Sequence, residues 1–329
     1  MDKLVIFNVW WGMASYCEIW WKKIIIDIWS SEDFSPILDF LVPYAENCWW
    51  EKQERKNKKW ESIFKWKKYI IDQLIISHPH RDHLSDIENF DKNFYAELVT
   101  TPNDNDGMWD ESLNWDLVFW DDEKDDKVVY LKEKMIDWRN PPLQSSSNRL
   151  ELYYIKPKIV EEEITPQSDY VNNISLVCII YVNGRKIMLP WDIMKSWSER
   201  MLNNDVINVV PWTKTETVFK NAIKKVNILV APHHWLKSAY NSDIMNEMEE
   251  YLELIIIPED VSKEDSTRVI DNRYYDWKYW CWVDITDIDS DSVNEQTTFK
   301  TSTWHIVISF DWVYKTKDTG KLIDLFVNL

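Results

Sequence analysis

The sequence predicts a mixed α/β protein arranged as a four-layer αββα sandwich, and two observations predict it. Strand-like, β-branched runs are interspersed with helix-like ones along the 329 residues. Strand pairs separated by two-residue turns recur near the start, at Asn183-Gly184 and near the end, where a doubly wound parallel sheet would need crossover connections instead.

Taken in order, LVIFNV, SYCEI and KKIIIDI read as strands. The last two flank Trp20-Trp21, a spacing that demands a type I′ or II′ turn. The central residues of such turns need φ > 0, so tryptophan is among the worst choices there. SPILDFLVPYAE reads as a helix with Ser35 as N-cap and Pro36 at its first position. YIIDQLIIS (69–77) is a strand that delivers SHPHRDHLSDI, whose tail resembles a helix start. RLELYYI, ISLVCIIYV and RKIML follow as strands, the last two joined at Asn183-Gly184. Next come a helix (IMKSWSERML), a strand (INVV), a helix (ETVFKNAIKK) and the strand VNILVAP, which ends at His233-His234. A helix (NSDIMNEMEEYL), a strand (LIIIP) and a hairpin of HIVISF with VYKT around Asp311-Trp312 complete the chain. One domain over 1–329 is expected, with a basic insertion near 46–68 and an acidic, irregular one near 103–148.

Composition narrows the function. No stretch approaches the ~18 apolar residues of a membrane span, and no signal pattern precedes the first strand, so a cytoplasmic protein is expected. The four cysteines lack CxxC spacing, which argues against a zinc knuckle or a disulfide framework. A net charge of −18 argues against a broad nonspecific nucleic-acid surface but not against a local basic site. Between Lys52 and Lys68 there are eight basic residues and two acidic ones, and this is the one strongly basic segment. It reads as a solvated arm or as a phosphate-tracking one.

The chemistry concentrates in His78-Pro-His80-Arg-Asp82-His83, directly after a strand. Alternate residues leaving a strand can point the same way, so His78 and His80 can hold one cation while Asp82 and His83 face another. Nitrogen and carboxylate ligands suit Zn²⁺ or Mn²⁺. His305 reads as a strand residue and Cys178 as core.

With this motif the chain resembles the metallo-β-lactamase fold superfamily, whose signature is HxHxDH, and within it the ComEC-like competence metallo-hydrolases. The similarity runs through NVWWG (8–12), IDIWS (26–30), SHPHRDH (77–83), NISLV (173–177), PWD (190–192), HHWLKS (233–238) and FDWVY (310–314). The resemblance implies the αββα sandwich of that type and two divalent ions, Zn or Mn. His78, His80, Asp82, His83, Asp192 and His234 would be their ligands, with Asp192 bridging. Asp82 and Asp192 would also orient the attacking water. His233, Asp169, Asn173, Ser175, Lys237 and Ser238 are further candidates to contact metal or substrate. No histidine lies between His83 and His233, so the superfamily's usual third histidine of the first ion is missing, as in ComEC-like members. That disfavours lactamase or glyoxalase chemistry and leaves phosphodiester hydrolysis open, so a phosphodiesterase or nuclease acting on DNA or a nucleotide is the first reading. A small-molecule ester or lactone hydrolase is the second reading, and a non-enzymatic interaction module acting with a protein partner is the third.

One number is abnormal: 4 Gly against 22 Trp, together 26, where about 7% or ~23 glycines are usual. Four glycines of the resembled motifs are written here as Trp10, Trp29, Trp191 and Trp235. Some bacterial lineages read UGA as glycine and another variant code reads it as tryptophan, so these positions are expected to be glycine codons translated as tryptophan. Trp191 and Trp235 would each abut a proposed ligand, and the chain as written is expected to bind metal weakly.

Overall fold

The computed structural model describes residues 2–7, 13–32, 34–56, 66–102, 126–131, 147, 149–155, 157, 159–160, 170–182, 184–203, 207–209, 219–232, 239–257, 298–300, 305–310 and 323–327. The first half contributes strands β1 (Asp2–Ile6), β2 (Ala14–Ile19), β3 (Lys22–Ile28), β4 (Tyr69–Ile75) and β5 (Phe94–Thr100). The second half contributes β6 (Leu150–Tyr154), β7 (Val177–Val182), β8 (Arg185–Leu189), β9 (Ile207–Val209), β10 (Ile228–Val230), β11 (Leu254–Ile257), β12 (Thr298–Lys300), β13 (His305–Phe310) and β14 (Ile323–Val327). Among the described residues these form two seven-stranded sheets, in the orders β14-β13-β1-β2-β3-β4-β5 and β12-β11-β10-β8-β7-β6-β9. Both sheets are mixed: β1, β2 and β3 run antiparallel, whereas β3, β4 and β5 are parallel, as are β8, β10, β11 and β12.

The alternation of side chains along a strand assigns each sheet two buried faces. Leu4, Ile6, Cys17 and Ile24 of the first sheet share one apolar cluster with Leu152, Cys178, Ile187 and Val230 of the second, which is the interior between the sheets. Their neighbours Val5, Tyr16 and Ile25 point the other way and pack with helix residues Ile37, Leu41, Ile87 and Phe90. On the second sheet Tyr153, Ile179 and Met188 face Met201, Phe219 and Met248. Helix, sheet, sheet and helix therefore stack in the expected αββα order. Buried Cys178 belongs to the inter-sheet layer, as expected.

The outer helical layers are α1 (Val42–Asn47), α2 (Ile87–Asn93), α3 (Asp126–Tyr130), α4 (Tyr170–Asn173), α5 (Lys195–Leu202), α6 (Phe219–Ile223) and α7 (Ser242–Met248). Ser35 caps the first helical run: its Oγ accepts from Leu38 N–H, and Pro36 follows at the first position. That run opens as a π-helical segment, Pro36–Leu41, before tightening into α1. None of the helices among the described residues is long and apolar enough to cross a membrane.

Two expectations need correction. HIVISF pairs antiparallel with IDLFV, His305 opposite Val327, so the terminal pair is β13 with β14; VYKT lies outside the described residues. FYAELVT is a strand the sequence reading passed over, because α2 runs into β5 with no glycine, proline or other breaker between Asn93 and Phe94.

Left-handed backbone falls on tryptophan. Trp20 (φ 49) and Trp21 (φ 69) form the two-residue turn between Ile19 and Lys22, both in the conformation a type I′ turn requires. Trp49 (φ 57) follows the C-cap of α1. There, Trp50 N–H donates to Ala45 O and Trp49 N–H to Glu46 O, which is the Schellman closure whose left-handed residue is usually glycine.

Candidate metal centre

The centre lies where β4 and β8 end. Parallel pairing of β3 with β4, Ile26 opposite Ile75, carries Asp27 alongside Ser77 although fifty residues separate them. The β2–β3 register jumps from Ala14↔Ile28 to Ser15↔Ile26, leaving Asp27 as an unpaired bulge residue with φ 52. Its carboxylate, fully buried, accepts from Ser77 N–H and Ser77 Oγ, each at 2.7 Å, and lies 2.7 Å from His83 Nδ1.

A 3₁₀ turn over Arg81–His83 then folds the motif back on itself, with His83 N–H donating to His80 O. The His78 and His83 rings are brought to 4.0 Å between centroids. His78 Nδ1 lies 3.0 Å from Ser77 Oγ and 3.1 Å from Ser175 Oγ, so its Nε2 faces inward, 3.0 Å from His80 Nδ1. After β8 the chain turns through Pro190 and Trp191 to present Asp192. Its Oδ2 is 3.6 Å from His83 Nε2 and 4.0 Å from His78 Nε2. Donor atoms of buried His78, His83 and Asp192 all lie within 4.8 Å of one another.

This set fits a divalent cation. Two ligands each ~2.1 Å from a tetrahedral ion stand ~3.4 Å apart, close to the spacings of the Asp192 carboxylate from the two imidazoles. His83 Nε2 is buried without a hydrogen-bond partner, while its Nδ1 is tied to Asp27. A carboxylate on the far nitrogen fixes the tautomer that leaves Nε2 free to ligate. Burial by itself would lower the basicity of His83; the charges of Asp27 and Asp82, the nearby Asp192 carboxylate and the hydrogen bond with Asp27 reverse this and hold it well above the usual histidine range. A field that favours a proton on this ring also favours a metal cation.

Two solved structures are similar to the chain. The chain is similar to the metallo-beta-lactamase fold protein YhfI from Bacillus subtilis, with a TM-score of 0.39 and 11% identity over 81% of this chain and 90% of that one. It is also similar to a metallo-beta-lactamase superfamily protein from Thermotoga maritima, with a TM-score of 0.36 and 8% identity over 91% of this chain and 97% of that one. No protein-family model and no curated protein matches the sequence.

Of the sequence candidates, His78, His80, His83 and Asp192 come together, and Asp82, about a third exposed, stands at the rim with Oδ1 3.9 Å from His83 Nε2. His78 is driven the opposite way from His83: burial, then the neighbouring charges of His83 and His80, keep it well below the usual range against the pull of Asp192 and Asp82. Ser175 orients His78 through its Oγ. Asn173 Oδ1 accepts from Met194 N–H at 3.3 Å, bracing the loop that carries Asp192. Asp169, His233, His234, Lys237, Ser238, Trp10 and Trp235 lie outside the described residues. His305 begins β13, as expected of a strand residue.

Trp191 has φ 53, the conformation expected of a glycine position, yet its side chain is 1% exposed within the layer between the sheets. Its indole N–H is directed at the Cys178 thiol, and its ring centroid is 6.4 Å from that of His83. The indole thus fills the interior beside the centre without parting His78, His83 and Asp192. The Trp29 backbone is not left-handed, and its ring packs against the core.

Sequence reasoning assigned no role to Asp27 or Ser77, although both stand in the quoted runs IDIWS and SHPHRDH. The available signal was a carboxylate at the end of an otherwise isoleucine-rich strand, where burial demands a partner.

Proposed function

We propose that this chain is a metal-dependent hydrolase of the metallo-β-lactamase superfamily, acting on phosphodiesters in DNA or a nucleotide. The convergence of buried His78, His83 and Asp192 carries the proposal. His78, His80, Asp82, His83 and Asp192, with His233 or His234, would hold two ions, Zn or Mn. Bound ions of this kind acidify water and offset charge on phosphoryl oxygens. The chain's own part is to hold the ligands in place. Asp27 and Ser77 lock His83, Ser77 and Ser175 turn His78, and rim-standing Asp82 can orient the attacking water and take its proton. No histidine lies between His83 and His233 to act as the superfamily's third ligand of the first ion, which counts against lactam hydrolysis and leaves phosphodiesters open.

Bis-p-nitrophenyl phosphate and single-stranded DNA, offered with Mn²⁺ or Zn²⁺ to the chain in which Trp10, Trp29, Trp191 and Trp235 are replaced by glycine, test the reading. Turnover is expected, and Asp192→Ala should lower it by about 100-fold or more. Equal rates in the parent and in Asp192→Ala and Asp82→Ala variants would refute it.

We further infer that tryptophans in left-handed backbone stand for glycine codons. Eight tryptophans lie among the described residues and four of them, Trp20, Trp21, Trp49 and Trp191, have positive φ; of all other non-glycine residues described, only Asp27 and Lys225 do. The gene is expected to carry UGA at those four positions. It should carry UGG at Trp50, whose ring sits among Tyr16, Tyr44 and Tyr69 beneath Lys23. UGG at Trp20, Trp21, Trp49 and Trp191 would end this inference.

A further inference from the structure

At the opposite end of the second sheet lies a cavity of about 560 Å³. Arg149, Arg185, Lys186 and Lys225 line it together with Tyr181 and Tyr251, and among the described residues no acidic one is part of its lining. In a chain of net charge −18, a cavity walled by four cations has a specific use. Its residues lie before or at the starts of β6, β8, β10 and β11 and at the end of β7, whereas Asp192 follows β8. Seven residues separate Arg185 from Asp192, about 20 Å of extended chain, so this is not part of the metal centre.

The cations are held in place. Lys186 Nζ donates to Ala222 O at 2.8 Å and Lys224 O at 3.0 Å, Arg185 pairs with Glu253, and Arg149 lies over the Trp20 ring. Asn227 braces the wall, accepting from Lys186 N–H and donating to Tyr251 O. Burial lowers the basicity of Lys186, with Glu151 raising it and Lys225 lowering it further, so an anion placed here would be welcome to this ammonium.

Lys225 is the informative residue. It follows α6 with φ 64, a conformation that costs a side-chain-bearing residue more than glycine, and it is exposed, so packing does not compensate. The compensation on offer is its charge at the cavity mouth.

We propose that this cavity binds a phosphorylated small molecule of mononucleotide size, its phosphates met by Lys225, Lys186 and Arg149 and its apolar part by Tyr181 and Tyr251. The volume lies within the ~300–1,000 Å³ usual for ligand pockets. Charge-assisted hydrogen bonds from two or three cations suit phosphate oxygens.

Isothermal titration calorimetry of the full chain in EDTA, with ADP and with adenosine, tests the proposal. ADP should bind and adenosine should not. Lys225→Gly should weaken ADP about tenfold or more while raising the urea midpoint, since glycine relieves the left-handed backbone. Asp192→Ala should leave ADP affinity unchanged. Absence of ADP binding, equal binding of adenosine, unchanged affinity in Lys225→Gly or lost affinity in Asp192→Ala would each overturn it. Neither metal nor turnover enters the measurement, so failure of the hydrolase reading would leave this result intact.

Discussion

Replacing Asp27 with alanine is expected to cost about 3–5 kcal/mol of stability and to weaken metal binding by about 10–100-fold, although Asp27 is not itself a proposed ligand. Three groups converge on its carboxylate: Ser77 N–H, Ser77 Oγ and His83 Nδ1. All are buried, so removing the acceptor strands each of them away from water. His83 loses the partner that fixes its tautomer, and its Nε2 is no longer committed to the Asp192 side. Burial already raises the Asp27 carboxyl, with His83 and Ser77 opposing, which is the balance of a group stabilised only by its partners.

Asparagine at the same position separates the two losses. It tolerates left-handed backbone and keeps the volume of aspartate, but offers one acceptor oxygen where three donors point. Asp27→Asn should therefore fold better than Asp27→Ala yet still bind metal weakly. Urea unfolding gives the first quantity and competition with a chromophoric chelator gives the second. Wild-type metal affinity in both variants would show that His83 needs no orienting carboxylate.

The reason Asp27 escaped sequence reading is general to sheets. His78, His80, Asp82 and His83 are contiguous, so their spacing alone suggests shared ligation. Asp27 reaches them only through the β3–β4 register and a one-residue bulge, and neither is written in local spacing. The turn at Trp20-Trp21 was legible because two strands two residues apart leave few conformations. The helix at Ser35 was legible from its cap and proline. By contrast, VYKT and IDLFV are both plausible partners for HIVISF, and only tertiary pairing chooses IDLFV. β5 was hidden by its direct junction with α2, which provides no punctuation.

The chain carrying glycine at Trp20, Trp21 and Trp49 is expected to be more stable than the parent by about 2–3 kcal/mol. Left-handed backbone costs a side-chain-bearing residue ~1–2 kcal/mol, partly offset by the greater entropy that glycine loses on folding. Little packing is given up, because Trp21 is 93% exposed and Trp49 89%. Trp20, half exposed, gives up its cation–π contact with Arg149, worth ~0.5–1 kcal/mol at an exposed site. Trp49 lies apart from the hairpin in sequence and element, so its gain should add to theirs, while adjacent Trp20 and Trp21 share one turn and will couple. Trp191 is left out of the variant because relief of its backbone is set against emptying a filled interior, a loss of ~3–5 kcal/mol. The urea midpoint should rise with an unchanged slope, the signature of native-state relief without altered compactness. A midpoint that falls would mean the exposed indoles contribute contacts worth more than the backbone strain, and these three turns would then be tryptophan turns by design.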